Sequence, residues 1–192
     1  MSTPPRILAF AGSSRESSLN RRLVRLGAQA ARTAGAEVTL IDLGDYPLPI
    51  YDGDIEGRDG LPENVGKLKA LFHAHDGLLI ASPENNASVS ALLKNALDWV
   101  SRPAGGPAGM VKLNGKVAAM MVATPGALGG LRGLVALRAI LQTLGALTLA
   151  EQFSLPRADQ AFAEDGSLKD PTIRTALDQL VGKLVHVAGR LA

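Results

Sequence analysis

The chain has 192 residues, a length that suits one domain or at most two, and 46% of the residues are hydrophobic. Basic side chains number 20 and acidic side chains 18, so the net charge is only +2. This is the composition of an ordinary globular protein, and so small a basic excess does not by itself make a nucleic-acid surface. The absence of cysteine excludes disulfides, thiolate metal sites and cysteine nucleophiles.

The sequence shows no sign of a membrane segment or of a secretion signal. No apolar run approaches the ~18 residues of a membrane span. The segment before the first predicted strand is short and contains Pro4 and Pro5, unlike a signal peptide. Only 4% of the residues are aromatic, so stacking platforms for nucleic acid are not expected. We therefore expect a cytoplasmic protein with neither a membrane nor a nucleic-acid partner.

Five short apolar runs alternate with amphipathic segments along the chain. Continuous apolar runs are typical of strands buried on both faces, and apolar residues three or four apart are typical of helices. The predicted strands are 6–11, 37–43, 77–81, 116–124 and 146–150. The predicted helices are 19–34, 64–74, 88–101, the segment marked by Leu131, Leu134, Val135, Leu141 and Leu144, and 171–191.

Two stretches rich in proline and glycine interrupt this alternation, and both are predicted as loops. They are 44–63, which also carries several aspartates, and 102–109. Strands alternating with helices predict right-handed βαβ units and a parallel sheet with helices on both faces. Five strands in one domain, residues 1–192, favour a flavodoxin-like three-layer fold with strand order 2-1-3-4-5. Ligands of such sheets bind at the carboxyl ends of the strands.

The turn after the first predicted strand has the composition of an anion site. Ser13, Arg15, Ser18 and Asn20 supply side-chain donors, and the following helix start offers free backbone N–H groups. Helix capping alone explains any one of the serines or the asparagine. The whole cluster, next to the flexible Gly12, favours a phosphate dianion. The loop is neither a Walker A motif nor a GxGxxG motif.

A second loop follows the third predicted strand, and it leads into the predicted helix 88–101. Pro83 stiffens the chain, and Asn85 and Asn86 tolerate unusual backbone angles, so the loop's backbone groups can face a planar heterocycle. Ser88 is predicted as the cap of the following helix. Trp99 is predicted to pack in the core or at an interface, without touching a ligand.

A third loop follows the fourth predicted strand. It contains Thr124 and Gly126, and the adjacent glycines Gly129 and Gly130 suggest a close approach of the backbone to a ligand. Two interpretations of Arg132 stay open: a contact with a second phosphate or a partner subunit, or a solvated position on the helix.

Three motifs occur together, in order, over nearly the whole chain. They are Gly12-Ser13-Ser14-Arg15, Ser82-Pro83-Glu84-x-Asn86 leading to Leu93-Lys94-Asn95-Ala96-Leu97-Asp98-Trp99, and Gly129-Gly130-x-Arg132. Together they resemble the NADPH-dependent FMN reductase family, flavodoxin-like proteins that include quinone, chromate and azo-dye reductases.

The resemblance implies non-covalently bound FMN and a set of cofactor-binding residues. Ser13, Arg15, Ser18 and Asn20 would hold the phosphate, with Leu19 in the same set. Further along the chain, the resemblance implies isoalloxazine contacts, largely through backbone atoms, from Pro83, Glu84, Asn85 and Asn86, and contacts on the other side from Thr124 and Gly126. It also implies a homodimer or homotetramer with the flavin near an interface.

The chain departs from the family pattern at two places. Asn85 stands where the family usually has tyrosine, and Ser90-Ala91 stands where the family usually has Pro-Gly. Loss of the aromatic ring affects the identity of the electron acceptor more than the fold. The same loss leaves open a further hypothesis, in which the protein keeps the fold, no longer binds flavin and has a regulatory binding role.

The leading hypothesis is an NAD(P)H-dependent, FMN-containing oxidoreductase. NADPH would deliver hydride to flavin N5, and a small acceptor (a quinone, an azo compound, chromate or free flavin) would then take the electrons. No catalytic side chain is expected, because the cofactor supplies the redox chemistry. The alternative is a flavodoxin-like electron carrier without NADPH turnover; such carriers are usually acidic, whereas this chain is slightly basic.

The remaining polar residues predict no metal site. His73 and His75 are two apart near a helix end and do not share a helical face. The aspartates of 44–63 match no calcium loop and are expected to be solvated. His186 is expected to be structural or solvated.

Overall fold

The computed structural model describes residues 3–103 and 113–192. The strands are β1 (Arg6–Ala11), β2 (Glu37–Asp42), β3 (Gly77–Ala81), β4 (Val117–Ala123), β5 (Leu147–Thr148) and β6 (Phe153–Leu155). The helices are α1 (Leu19–Thr33), α2 (Gly53–Asp59), α3 (Glu63–Ala74), α4 (Ala91–Val100), α5 (Leu131–Thr143), α6 (Ala158–Ala161) and α7 (Pro171–Leu191). Most of the loop predicted at 102–109 lies outside the described residues.

The strands form one parallel sheet in the order β2-β1-β3-β4-β5, which confirms the predicted flavodoxin-like topology. The register pairs Ala11 with both Asp42 and Ala81, so β1, β2 and β3 end level with one another. The carboxyl ends of the central strands therefore open at one edge, where βα loops converge.

Each central strand is buried on both faces and supplies alternate side chains to two apolar clusters. In β1, Ile7 and Ala9 face the cluster under α1 and α7, while Leu8 and Phe10 face the cluster under α3, α4 and α5. This is why the strands read as continuous apolar runs instead of alternating ones. The result is a three-layer arrangement with helices on both faces.

The prediction of one irregular loop over 44–63 was wrong. The stretch holds a short 3₁₀ helix at Leu43–Asp45 and helix α2. Helix α2 buries none of its residues, so it has no apolar periodicity to reveal it. Asp52 caps its first turn, and Glu56 forms an ion pair with Arg102 at 2.8 Å (Oε2 to Nε).

The sheet of the described residues has a sixth strand, β6, in addition to the five that were predicted. The two-residue β5 pairs only with the start of β4, from Val117 to Ala118. The second half of β4 is then free to pair with β6, where Met121 lies opposite Phe153. Helix α6 follows directly. None of the described helices is long and apolar enough to cross a membrane.

Candidate functional site

A cleft of about 460 Å³ opens at the carboxyl edge of the sheet, between the loops that follow β1, β3 and β4. Its volume lies within the range of roughly 300–1,000 Å³ that is typical of small-molecule sites. The cleft is lined by Gly12, Ser13, Ser14, Arg15, Ser18, Leu19, Asn20, Pro83, Glu84, Asn85, Ser90, Ala91, Leu92, Ala123, Thr124 and Pro125. Of the residues predicted to bind the cofactor, all but Asn86 and Gly126 are in this lining.

One end of the cleft is the start of α1, and its chemistry suits an anion. Ser18 is the N-cap: its hydroxyl oxygen accepts a hydrogen bond from the Arg21 N–H at 3.3 Å, which leaves the hydroxyl proton free to donate. The first turn of α1 contains no acidic residue. The positive end of the helix dipole therefore meets no carboxylate from its own helix.

Arg15 adds a full positive charge to this end of the cleft. Its side chain is exposed, and no carboxylate within the described ranges lies within ion-pairing distance of it. The nearby Arg21 has a different task, because it pairs with Asp42 at 2.6 Å (Nη2 to Oδ2) and donates to the Ser14 carbonyl oxygen at 3.1 Å. Arg21 thus braces the loop from outside, while Arg15 stays available to the cleft.

Asn20 occupies the predicted place, but its amide already has partners. The side chain is buried, Nδ2 donates to the Ala123 carbonyl oxygen at 2.8 Å, and Oδ1 accepts from the Ala123 N–H at 2.9 Å. These two bonds join the start of α1 to the end of β4. The geometry makes Asn20 a brace between two walls of the cleft, and its predicted contact with a phosphate stays a prediction.

The loop after β3 forms a tight hairpin at the mouth of the cleft. The backbones of Asn85 and Ser88 exchange two hydrogen bonds of 2.9 and 3.0 Å. The two residues between them, Asn86 and Ala87, have positive φ angles of 49° and 63°. Two consecutive left-handed residues are the requirement of a type I′ turn, which asparagine meets readily and alanine does not.

Because Ser88 belongs to this hairpin, it is not the cap of the next helix, and that prediction was wrong. The cap is Ser90, whose hydroxyl oxygen accepts from the Leu93 N–H at 3.2 Å. Ser90 immediately precedes the apolar repeat of α4, which is the sequence signal that would have found it. Ser90 also lines the cleft.

Glu84 joins the second loop to the third. Its Oε1 accepts from the Arg132 guanidinium at 2.5 and 2.9 Å, and its Oε2 accepts from the Gly133 N–H at 3.0 Å. A Cβ at Gly133 would lie only 3.0 Å from the Glu84 Cβ, so the close approach depends on glycine. The Gly133 N–H, and after it Arg132, lower the pKa of Glu84 below its ordinary value. Arg132 is thus engaged by a carboxylate.

The third loop contributes Thr124 and Pro125 to the lining. The paired glycines Gly129 and Gly130 were expected to allow a close approach of the backbone to a ligand. Instead they allow a close approach of other parts of the same chain. A Cβ at Gly129 would meet the Ser154 Oγ at 2.2 Å, and a Cβ at Gly130 would meet the Val122 Cγ2 at 2.4 Å. Both glycines also have positive φ, of 67° and 70°. Their packing against β4 and β6 explains them without a ligand.

Trp99 is fully buried, and its Nε1 donates to the Pro49 carbonyl oxygen at 2.8 Å, which confirms that it is a core residue. His75 is also buried and lies within hydrogen-bonding distance of the Leu71 carbonyl oxygen and the Thr39 hydroxyl. In residues 3–103 and 113–192, no three His, Asp or Glu side chains form a potential metal site.

The chain belongs to the NADPH-dependent FMN reductase family, whose family model matches residues 5–160. It is therefore an oxidoreductase of the NAD(P)H-dependent flavin type, and FMN and NADPH are the cofactors of the family.

Several similar proteins carry matching names. A probable NADPH:quinone oxidoreductase of rice is 34% identical over 191 residues, covering 97% of this chain and 90% of its own length. The quinone reductase of Escherichia coli K12 is 31% identical, covering 100% of this chain and 94% of its own length. An NAD(P)H-dependent FMN reductase of Pseudomonas aeruginosa is 33% identical, covering 93% and 92%.

Solved structures agree on the fold. The flavoenzyme NAD(P)H:(acceptor) oxidoreductase FerB of Paracoccus denitrificans superposes with a TM-score of 0.79 at 29% identity, covering 97% of this chain and 98% of its own. An azoreductase of Bacillus anthracis superposes with a TM-score of 0.59 at 19% identity, covering 97% and 99%, and shows the fold alone.

The residues present fit FMN. A phosphate needs donors and positive charge, which the start of α1 and Arg15 supply. The one carboxylate in the lining, Glu84, is balanced by Arg132 and the Gly133 N–H. The lining beyond the phosphate end combines backbone groups with the apolar side chains of Pro83, Ala91 and Leu92, as a planar heterocycle requires.

Proposed function

We propose that the protein oxidises NAD(P)H and reduces a small acceptor, with quinones as the leading acceptor class, through FMN held in the cleft. The observation that carries this proposal is the cleft itself, in which a positively charged loop and helix start adjoin a mixed polar and apolar wall. Quinones are placed first because the rice and Escherichia coli relatives are named for them. Azo compounds, chromate and free flavin are the further candidates.

Bound FMN would supply the hydride and electron-transfer chemistry of the reaction. The chain's own residues bind, orient and shape the site. Ser13, Arg15 and Ser18 would hold the phosphate. Backbone groups of the hairpin 85–88 and of the loop after β4 would flank the ring system. No side chain in the lining is placed as a general acid or base, since Glu84 is ion-paired with Arg132.

An anaerobic titration of the FMN-loaded protein tests the proposal. We expect NADPH to bleach the visible flavin absorbance stoichiometrically, and addition of a small quinone to restore it with multiple turnovers. Bleaching by neither NADPH nor NADH would contradict the proposal. Bleaching by dithionite alone, without nicotinamide turnover, would instead indicate the electron carrier. A protein that takes up no added FMN would indicate a regulatory role.

We propose that the protein is a homodimer or homotetramer, with α5 in the interface. Leu131, Val135 and Ala139 are exposed and lie four residues apart, so they form one apolar stripe on the outer face of α5. Leu128, in the preceding loop, is 70% exposed and extends the stripe towards the cleft. Clustered apolar surface of this kind favours contact with another protein.

Two broader expectations complete the proposal. The single domain spanning 1–192 is supported by the continuity of the sheet from β1 to β6 and by α7, which packs on α1. The cytoplasmic location stays a prediction from the sequence.

A further inference from the structure

Ser90 makes a second hydrogen bond that capping does not require. Its side chain is 5% exposed, and its hydroxyl donates to the Gly12 carbonyl oxygen at 2.6 Å. The same oxygen accepts from the Leu93 N–H, so one hydroxyl joins the loop after β1 to the start of α4. The two ends of this link are 78 residues apart in the chain.

This bond fixes the orientation of the peptide between Gly12 and Ser13. In a trans peptide the C=O and the N–H point to opposite sides. A Gly12 carbonyl that points at Ser90 therefore turns the Ser13 N–H away from α4. Without such a partner, the peptide can rotate, because a glycine backbone is the least restricted of all.

Two further carbonyl groups of this loop are held in a similar way. The Ser14 carbonyl oxygen accepts from Arg21 at 3.1 Å, and the Arg15 carbonyl oxygen accepts from the Ser18 N–H at 3.1 Å. In the part of the chain that the structure describes, no group accepts a hydrogen bond from the N–H of Ser13, Ser14 or Arg15. Successive free N–H groups of this kind form an anion-binding concavity.

A larger residue at Gly12 would be crowded, and the restraint on its peptide in this structure comes from a hydrogen-bond partner. A Cβ at Gly12 would lie 3.1 Å from the Leu93 Cβ and 3.2 Å from the Ser90 Oγ. The site is tight because α4 packs directly against the loop. Ser90 is the side chain at this contact that donates to the Gly12 carbonyl.

We propose that Ser90 is a positioning residue that holds the Gly12–Ser13 peptide with its N–H towards the FMN phosphate and its carbonyl oxygen away from it. A rotated peptide would present a carbonyl dipole to the dianion and would weaken binding of the phosphate. The inference rests on the proposed function. The family motif usually has proline at this position, and proline has no hydroxyl to donate to the Gly12 carbonyl oxygen.

Binding of FMN and of riboflavin, measured by quenching of flavin fluorescence, tests the role, because riboflavin lacks the phosphate. We expect Ser90→Ala to weaken FMN binding about tenfold, the effect of one lost hydrogen bond with its desolvation cost. Riboflavin binding should stay within about twofold, since the phosphate loop does not hold riboflavin. Ser90→Thr, which keeps the hydroxyl, should restore most of the FMN affinity.

The matched control is Asp170→Ala, which removes the N-cap of α7, where the Asp170 carboxylate accepts from the Thr172 N–H at 2.8 Å. This variant should lose stability comparably and bind both flavins as the parent protein does. Should Ser90→Ala fold poorly, Ser90→Gly removes the hydroxyl at a smaller capping cost.

Three outcomes distinguish failure of the proposed role of Ser90 from failure of the proposed function. Selective loss of FMN affinity in the variant supports the inference. Equal losses for FMN and riboflavin, or no loss for either, overturn it and leave the proposed function standing. If the parent protein itself binds neither flavin, the proposed function fails, and the inference fails with it.

Discussion

Two charged side chains, Arg15 and Glu84, line the cleft, and of these only Glu84 is paired within the described residues. Arg15 is exposed and pairs with no carboxylate of the described chain, whereas Glu84 is 11% exposed and is held by Arg132 and the Gly133 N–H. The first charge is available to a ligand, and the second is used within the protein. The charge that the lining leaves available to a ligand is therefore positive, which suits a dianion.

Arg15→Ala removes the available charge. We expect FMN affinity to fall at least about tenfold, because a charge-assisted hydrogen bond to phosphate is among the stronger polar contacts. Isothermal titration with FMN measures the effect. The control is Arg25→Ala, an exposed arginine of α1 outside the cleft lining, which should leave the affinity unchanged. Equal losses in both variants would point to general electrostatics and against a phosphate contact by Arg15.

Glu84→Gln tests the carboxylate that joins the second and third loops. The lowered pKa of Glu84 means that the ionised form stabilises the fold. We expect the substitution to lower the free energy of unfolding by about 1–2 kcal/mol at pH 7, since hydrogen bonds to a charged group are weakened. Urea unfolding measures the change. The exposed Glu63, paired with Lys67, gives the control Glu63→Gln, which should lose clearly less stability than Glu84→Gln.

The difference in stability between the parent protein and Glu84→Gln should depend on pH. Since the folded-state pKa of Glu84 is depressed, its contribution is complete above the unfolded-state pKa of about 4.3 and is lost as the pH falls through the lower folded value. The stability difference between the parent protein and Glu84→Gln should therefore shrink below about pH 4. A difference that grows on acidification would contradict this assignment.

Single residues also show where sequence reasoning was sufficient and where it was not. Ser18 was predicted to hold a phosphate, with helix capping as the alternative for any one serine of the cluster; it is the cap of α1, and its phosphate contact stays a prediction. A serine before an apolar repeat also points to Ser90, but Val89 fits the same repeat, so the predicted helix began at Ser88. The bond from Ser90 to Gly12 spans 78 positions, and no local pattern encodes it.

The hairpin after β3 is an element with strain built into it. Ala87 adopts a φ of 63°, which costs an L-residue with a Cβ roughly 1–2 kcal/mol. Strain of this kind persists where the surrounding structure over-determines the backbone, as it often does at ligand sites. Here the two backbone bonds between Asn85 and Ser88, and the rigid end of β3, hold the turn.

Ala87→Gly should relieve this strain. We expect stability to rise by about 0.5–1 kcal/mol, the relief less the entropy cost of glycine. Thermal unfolding measures the change. Ala139→Gly, on the exposed face of α5, is the control, and it should lose about 1 kcal/mol because its backbone is helical. A destabilised Ala87→Gly variant would argue against a left-handed backbone at this position.

Elements with a strong apolar pattern were predicted well, and elements without one were missed. The bounds of β1, β3 and α7 agree with the prediction, since each has an uninterrupted buried run or a long helical repeat. Helix α2 buries no residue and contains two glycines, so tertiary contacts such as that of Glu56 with Arg102 hold it. Strand β6 has three residues, too few to show a period, and its pairing with β4 is a tertiary event.

At the scale of the whole molecule, the alternation of strands and helices predicted a parallel sheet, and the number of strands favoured the flavodoxin-like order that the structure has. The handedness of βαβ units leaves few topologies for such a chain. The position of the cleft followed in turn, because parallel sheets of this type bind ligands at their carboxyl edge. The alternation does not predict which loops are hydrogen-bonded to one another. Those contacts are long-range hydrogen bonds of the Asn20, Glu84 and Ser90 side chains.

The proposed homo-oligomer, with the outer face of α5 in its interface, makes a testable prediction. Val135 is 65% exposed in the middle of the apolar stripe. We expect Val135→Glu to shift the protein towards monomers, because a carboxylate buried in a dimer interface would be desolvated without a partner. Sedimentation equilibrium measures the shift. Leu191→Glu, on the other side of the sheet at the end of α7, is the control and should leave the assembly unchanged.

The position of the FMN phosphate tests most directly whether the loop after β1 and the start of α1 form the phosphate site. In crystals grown with FMN, we expect phosphate density within hydrogen-bonding distance of the Ser13 N–H and the Ser18 hydroxyl, with the Arg15 guanidinium turned towards it. Density for FMN whose phosphate lies away from the loop after β1, or solvent alone beside Arg15 and Ser18, would contradict the account.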